Sequence, residues 1–162
     1  MKETQDAWVS DMADNLVREI MEQMADIQLS SVSVCGIGSK QMIGVRIWVD
    51  GDYKMQMSFF AERNLFYRFT KNMIEEEPTD EDVRDYAMEF LNTICGRFIS
   101  EIVNQIHIKV QMMAVEERVL ERWTAPEDIN FVRAVGFVSD AQEYAVFSWT
   151  SRAIEEMMKR SQ

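Results

Sequence analysis

From Thr79 to about Asn104 or Ile106 the apolar residues return with the period of a helix, and one side of that helix is almost wholly apolar. Rotating by about 100° per residue gathers Val83, Ala87, Phe90, Leu91, Ile94, Phe98 and Ile102 into one broad arc. A helix this long with so wide an apolar face cannot stand alone and demands another layer to cover it. Thr79 suits the N-cap, and Asp80, Glu81 and Asp82 suit the positive end of the helix dipole. Before it, Glu75-Glu76-Glu77-Pro78 stops a shorter helix expected over Ala61 to Met73, where Leu65, Phe66, Phe69 and Met73 share a side.

The covering layer is legible on either side. Trp8, Met12, Leu16, Ile20 and Met24 recur every four residues, with Val9, Val17, Met21 and Ile27 widening the stripe of an N-terminal amphipathic helix. The period then changes to two. Val32, Val34 and Gly36 alternate with Ser31, Ser33 and Cys35, as a strand would. Val45 to Val49 and Tyr53 to Phe59 flank Asp50-Gly51-Asp52, and an Asp-Gly pair between alternating runs is a strong hairpin signal. From His107 onward Ile108, Val110, Met112 and Ala114 alternate again, while Glu116 to Arg122 fits strand or helix. Pro126 breaks the chain, and Phe131 to Val138 and Tyr144 to Trp149 read as strands joined at Ser139 to Glu143. A final short helix is expected over 152–160. Helix, strands, two helices, strands and a last helix make residues 1–162 one α+β domain, an antiparallel sheet packed with long helices.

Charge and composition exclude several functions. The 162 residues carry a formal charge of -11, so nucleic acid and anionic membrane surfaces are not expected partners. Met1 to Asp6 contain no apolar stretch behind a basic end, and no uncharged run could cross a bilayer, so no membrane insertion and a cytoplasmic location are expected. Cys35 and Cys95 read as free thiols of a reducing compartment. One histidine, His107, with no HExxH and no CxxC, leaves no metal site, and Gly36-Ile37-Gly38-Ser39-Lys40 lacks the spacing of a phosphate-binding loop. His107 stands at a helix-to-strand junction and reads as structural. The 13 methionines fall mostly on apolar stripes and read as core filling.

What remains is the other side of the long helix. Asp85, Glu89, Asn92, Gly96 and Ser100 fall together there, opposite the apolar arc. Glu89 and Asn92 are i, i+3 neighbours whose side chains can reach one external point. Gly96 lies one turn beyond, and a glycine inside a helix costs about 1 kcal/mol relative to alanine, which suggests close approach of something there. The raw Glu-x-x-Asn spacing recurs at Glu101–Asn104, turned toward the edge of the apolar arc, and at Glu127–Asn130, which lacks a helical context. On the residues alone, Glu89 and Asn92 are either a solvated polar face or a water-positioning pair.

Asp85-x-x-x-Glu89-x-x-Asn92-x-x-x-Gly96 after an acidic helix start resembles the signature of the CheC/CheX/FliY family of chemotaxis phosphatases, and the order of elements over about residues 5 to 150 is similar to that family's α+β domain. The resemblance implies hydrolysis of the aspartyl phosphate of a phosphorylated CheY-like response regulator. Glu89 would anchor the regulator through the lysine beside its phosphorylated aspartate, and Asn92 would orient the attacking water. Asp85, Gly96 and Ser100 would belong to the partner-binding surface. Mg2+ is expected on the regulator, and no cofactor is expected on this chain. In the two-site branch a second motif lies on the first helix. Here that helix reads Leu16-Val17-Arg18-Glu19-Ile20-Met21-Glu22, with glutamate in place of asparagine. A single site resembles the CheX branch, which implies a homodimer. Arg97 and Phe98 after the glycine, and Phe90 and Leu91 within the pair, are bulkier than the family's usual residues. The alternative of a different class is a non-catalytic domain of the same fold that binds a regulator or serves as an adaptor.

Overall fold

The computed structural model describes residues 2–37, 40–120 and 132–161. Among these described residues four α-helices and six strands follow in the order α1 (Lys2–Ala25), β1 (Leu29–Val32), β2 (Ile43–Gly51), β3 (Met55–Ala61), α2 (Arg63–Ile74), α3 (Asp80–Ile106), β4 (Met112–Leu120), β5 (Val132–Ser139), β6 (Tyr144–Thr150) and α4 (Ser151–Ser161). The strands form one sheet in the order β1-β5-β6-β3-β2-β4, and every pairing is antiparallel. This is the single α+β domain expected from the alternation of periods.

Cross-strand register explains which face is buried. Val45 pairs with Phe59 and Phe59 with Phe147, while Ile47 pairs with Met57 and Met57 with Trp149. Partners in register point to one side of the pleat. These side chains join Val9, Ala13, Val17 and Ile20 of α1, Leu65 and Phe69 of α2, the inner face of α3 and Met157 and Met158 of α4 in one core. Opposite, a smaller cluster of Ile37, Met42, Phe60 and Val146 covers one corner of the sheet.

Several boundaries differ from the sequence reading. The first strand stops at Val32, and Val34–Gly36 form a short 3₁₀ helix, because two isolated valines give no more than a local alternation. Ala61 belongs to β3, paired with Ile43 and Ala145, so α2 starts at Arg63. Glu75 ends α2 in the left-handed conformation (φ 58°), before the proline is reached. β4 begins only at Met112 and continues through Leu120, which settles the ambiguous stretch as strand as far as it is described. The hairpin stands where Asp-Gly places it, with Val49 and Met55 its last pair and Gly51 at φ 133°. Pro126 and the Glu127–Asn130 repeat of the acid–amide spacing lie outside the described residues.

Candidate functional site on helix α3

Helix α3 is held at both ends by its own sequence. The Thr79 hydroxyl accepts from the Asp82 amide at 3.1 Å and the Asp82 carboxylate accepts from the Thr79 amide at 2.9 Å, a reciprocal capping box. His107 closes the other end in the left-handed conformation, φ 56°, which is the structural role its position suggested.

The inner face is locked. Phe90 sits edge-on to Phe59 at 4.9 Å and to Phe69 at 5.1 Å, between centroids. Phe98 meets Phe147 at 5.5 Å and Trp149 at 5.4 Å. Val83, Ala87, Leu91, Ile94 and Ile102 are buried with them, as is Cys95, which the sequence reading did not place in the core. Such a face fixes the rotation of the helix, so the direction of its outer side chains is fixed too.

Asp85, Glu89, Asn92, Gly96 and Ser100 all lie exposed on that outer face. Among the described residues, neither the Glu89 carboxylate nor the Asn92 amide has a hydrogen-bond or ion-pair partner, so both remain available to a visitor. The Thr93 hydroxyl donates to the Glu89 carbonyl at 2.9 Å, which occupies backbone and not the carboxylate. A Cβ built on Gly96 meets nothing within 4 Å. Among the described residues no contact therefore demands a glycine there.

Exposure does not separate this pair from its sister, since Glu101 and Asn104 are exposed as well. The separation lies in surroundings. One turn beyond Asn104 the helix has already ended at His107, and Glu101 borders a groove against α1. The bulky departures from the family pattern also turn away from the pair. Phe90, Leu91 and Phe98 are inward. Arg97 leans toward α1, its guanidinium 3.7 Å from the Glu19 carboxylate. Glu19 and Glu22, where a second motif would stand, are exposed.

The sequence reading missed the groove. It has a volume of about 350 Å³ and is walled by Trp8 and Met12, which were assigned to the core stripe but are only partly buried. Cys35 is an exposed free thiol and Cys95 a buried one. Among the described residues no three His, Cys, Asp or Glu side chains gather as a metal site, and no helix is long and apolar enough to cross a membrane.

The antiparallel α+β domain, with its exposed acid and amide on a long, core-locked helix, is similar in fold to proteins of known structure. Residues 43–121, from β2 past the end of β4 and including the whole of α3, match the family model described as Chemotaxis phosphatase CheX. No curated protein sequence matches the chain. Among solved structures the chain is similar to the chemotaxis protein CheX from Vibrio vulnificus, with a TM-score of 0.68 at 17% identity over 88% of this chain and 95% of that one. CheX from Desulfovibrio desulfuricans gives 0.67 at 15% identity, over 86% and 97%. CheX in a complex with CheY, beryllofluoride and Mg2+ from Borrelia burgdorferi gives 0.64 at 11% identity, over 85% and 94%. Residues 43–121 thus match the CheX family model, and the fold is the one these solved CheX structures share.

Proposed function

We propose that this chain is a single CheX-like phosphatase domain that hydrolyses the aspartyl phosphate of a CheY-like response regulator. The observation that carries the reading is the unpartnered Glu89–Asn92 pair on the outer face of α3, within the segment that matches the CheX family model.

An aspartyl phosphate is a mixed anhydride, so the chemistry needs positioning more than covalent help. A water held in line with phosphorus forms the new P–O bond as the bond to the aspartate oxygen breaks, releasing orthophosphate and a free carboxylate. Asn92 orients that water, its amide both accepting and donating. Glu89 anchors the regulator by pairing with the lysine beside the phosphoaspartate. Asp85, Gly96 and Ser100 complete the docking face, and the bare turn at Gly96 admits the regulator's backbone. The regulator carries the Mg2+, and this chain contributes no cofactor. The protein works in the cytoplasm as a homodimer.

The test is phosphate loss from phosphorylated regulators of the same organism. The wild-type chain accelerates it, Asn92→Ala reduces the acceleration roughly a hundredfold or more, and Asn104→Ala leaves it intact. Tight binding without acceleration would make the chain a regulator-binding module. If no regulator is bound or dephosphorylated, both readings fail.

A further inference from the structure

The groove between α1 and α3 lies at the margin of the core, with Trp8 and Met12 packed against it and only partly buried. Trp8 and Met12 form an apolar wall that the chain leaves half-exposed. Among the described residues that line it, three carboxylates, Asp11, Glu19 and Glu101, stand against one guanidinium, Arg97, already facing Glu19 at 3.7 Å. An apolar wall inside an acidic rim is complementary to an apolar side chain flanked by lysine or arginine. The volume of about 350 Å³ suits one or two such side chains, at the low end of the roughly 300–1,000 Å³ typical of ligand pockets.

Position selects the occupant. Arg97 and Glu101 lie on the same helix as the Glu89–Asn92 pair, and Glu89 to Glu101 spans ~18 Å at 1.5 Å per residue. Glu101 is also turned about 120° around the helix from Glu89, toward α1, so a partner centred on Asn92 with a footprint of about 800 Å² reaches the groove by wrapping toward α1. We infer that the groove is a second docking point for the same response regulator, receiving an apolar side chain ringed by basic residues. It would select among regulators whose phosphorylation sites are alike. The inference rests on the reading of Glu89 and Asn92 as the regulator's site.

Titrating the full chain with each of the organism's regulators in the beryllofluoride-activated form tests it. Glu101→Lys and Trp8→Ala are each expected to weaken binding at least tenfold, while Asn104→Ala binds as the wild type does. Raising salt from 50 to 200 mM should weaken wild-type binding more than that of Glu101→Lys. Glu101 is exposed, so its variant decides the matter even if Trp8→Ala melts early. If both groove variants bind like the wild type while Asn92→Ala abolishes hydrolysis, the groove proposal is overturned and the site reading stands. Groove variants that alter only the oligomeric state of the chain by itself would make the groove a self-interface and overturn it as well. A wild-type chain that binds no regulator overturns both.

Discussion

Gly96 lies inside a 27-residue helix, where glycine is about 1 kcal/mol less favourable than alanine. The left-handed conformation that would require it is absent, and an added Cβ would touch nothing within 4 Å. Among the described residues nothing requires the missing side chain, and the proposed docking of a regulator supplies a reason for it. Gly96→Ala should raise stability by about 1 kcal/mol and Tm by roughly 2–4 °C. If the regulator's backbone approaches this turn, the same change lowers the hydrolysis rate, and Gly96→Gln lowers it further. Thermal unfolding and phosphate release on the same samples check both halves. A more stable variant with unchanged turnover would take Gly96 off the docking face, and a less stable one would show that the helix itself needs the glycine.

Elements were legible where their signals are local. Helix α3 announces itself through one unbroken period plus Thr79 and Asp82, and its inner and outer faces follow by rotation alone. The groove was not legible, because a strict four-residue repeat advances about 40° per step around a helix. That drift carries Trp8 about 80° from Leu16, off the true stripe of Val9, Ala13, Val17 and Ile20. Also hidden was the clamp that fixes the β5–β6 hairpin to α2, since it joins residues far apart in sequence. Glu143, buried in the turn, accepts from Asn64 at 2.8 Å, from Arg68 at 2.6 Å and from the Ser139 hydroxyl at 2.8 Å. Arg68 also holds Asp140 at 2.8 Å. Burial works against the Arg68 charge, yet the hydrogen bonds it donates to Glu143 and Asp140 outweigh that and raise its pKa. Removing one partner strands the others, so Glu143→Ala should cost about 3 kcal/mol, whereas Lys71→Ala, at an exposed pair with Glu77, should leave the midpoint close to that of the wild type. Denaturant midpoints of the two variants measure the contrast. Equal midpoints would show that the clamp adds nothing beyond a surface pair.

At the scale of the molecule α3 has two faces, and the proposed function gives them two separate ends that mutation can tell apart. Its inner face touches the sheet through Phe90 on Phe59 and Phe98 on Phe147 and Trp149, inside a core that spans all four helices and the sheet. With one continuous core, unfolding should be a single cooperative transition. Phe98→Ala removes a fully buried ring at its centre and should lower stability by about 3–5 kcal/mol, depressing activity only as far as it depletes folded protein. Asn92→Ala touches no described partner and should leave stability within about 0.5 kcal/mol while removing hydrolysis. Calorimetry paired with turnover, measured at a temperature where Phe98→Ala remains folded, tests the division. Near-normal turnover in folded Phe98→Ala, beside inactive Asn92→Ala with wild-type melting, places the chemistry on the outer face alone. Loss of turnover in folded Phe98→Ala would mean instead that the ring's packing aims the helix, and that the core helps position the attacking water.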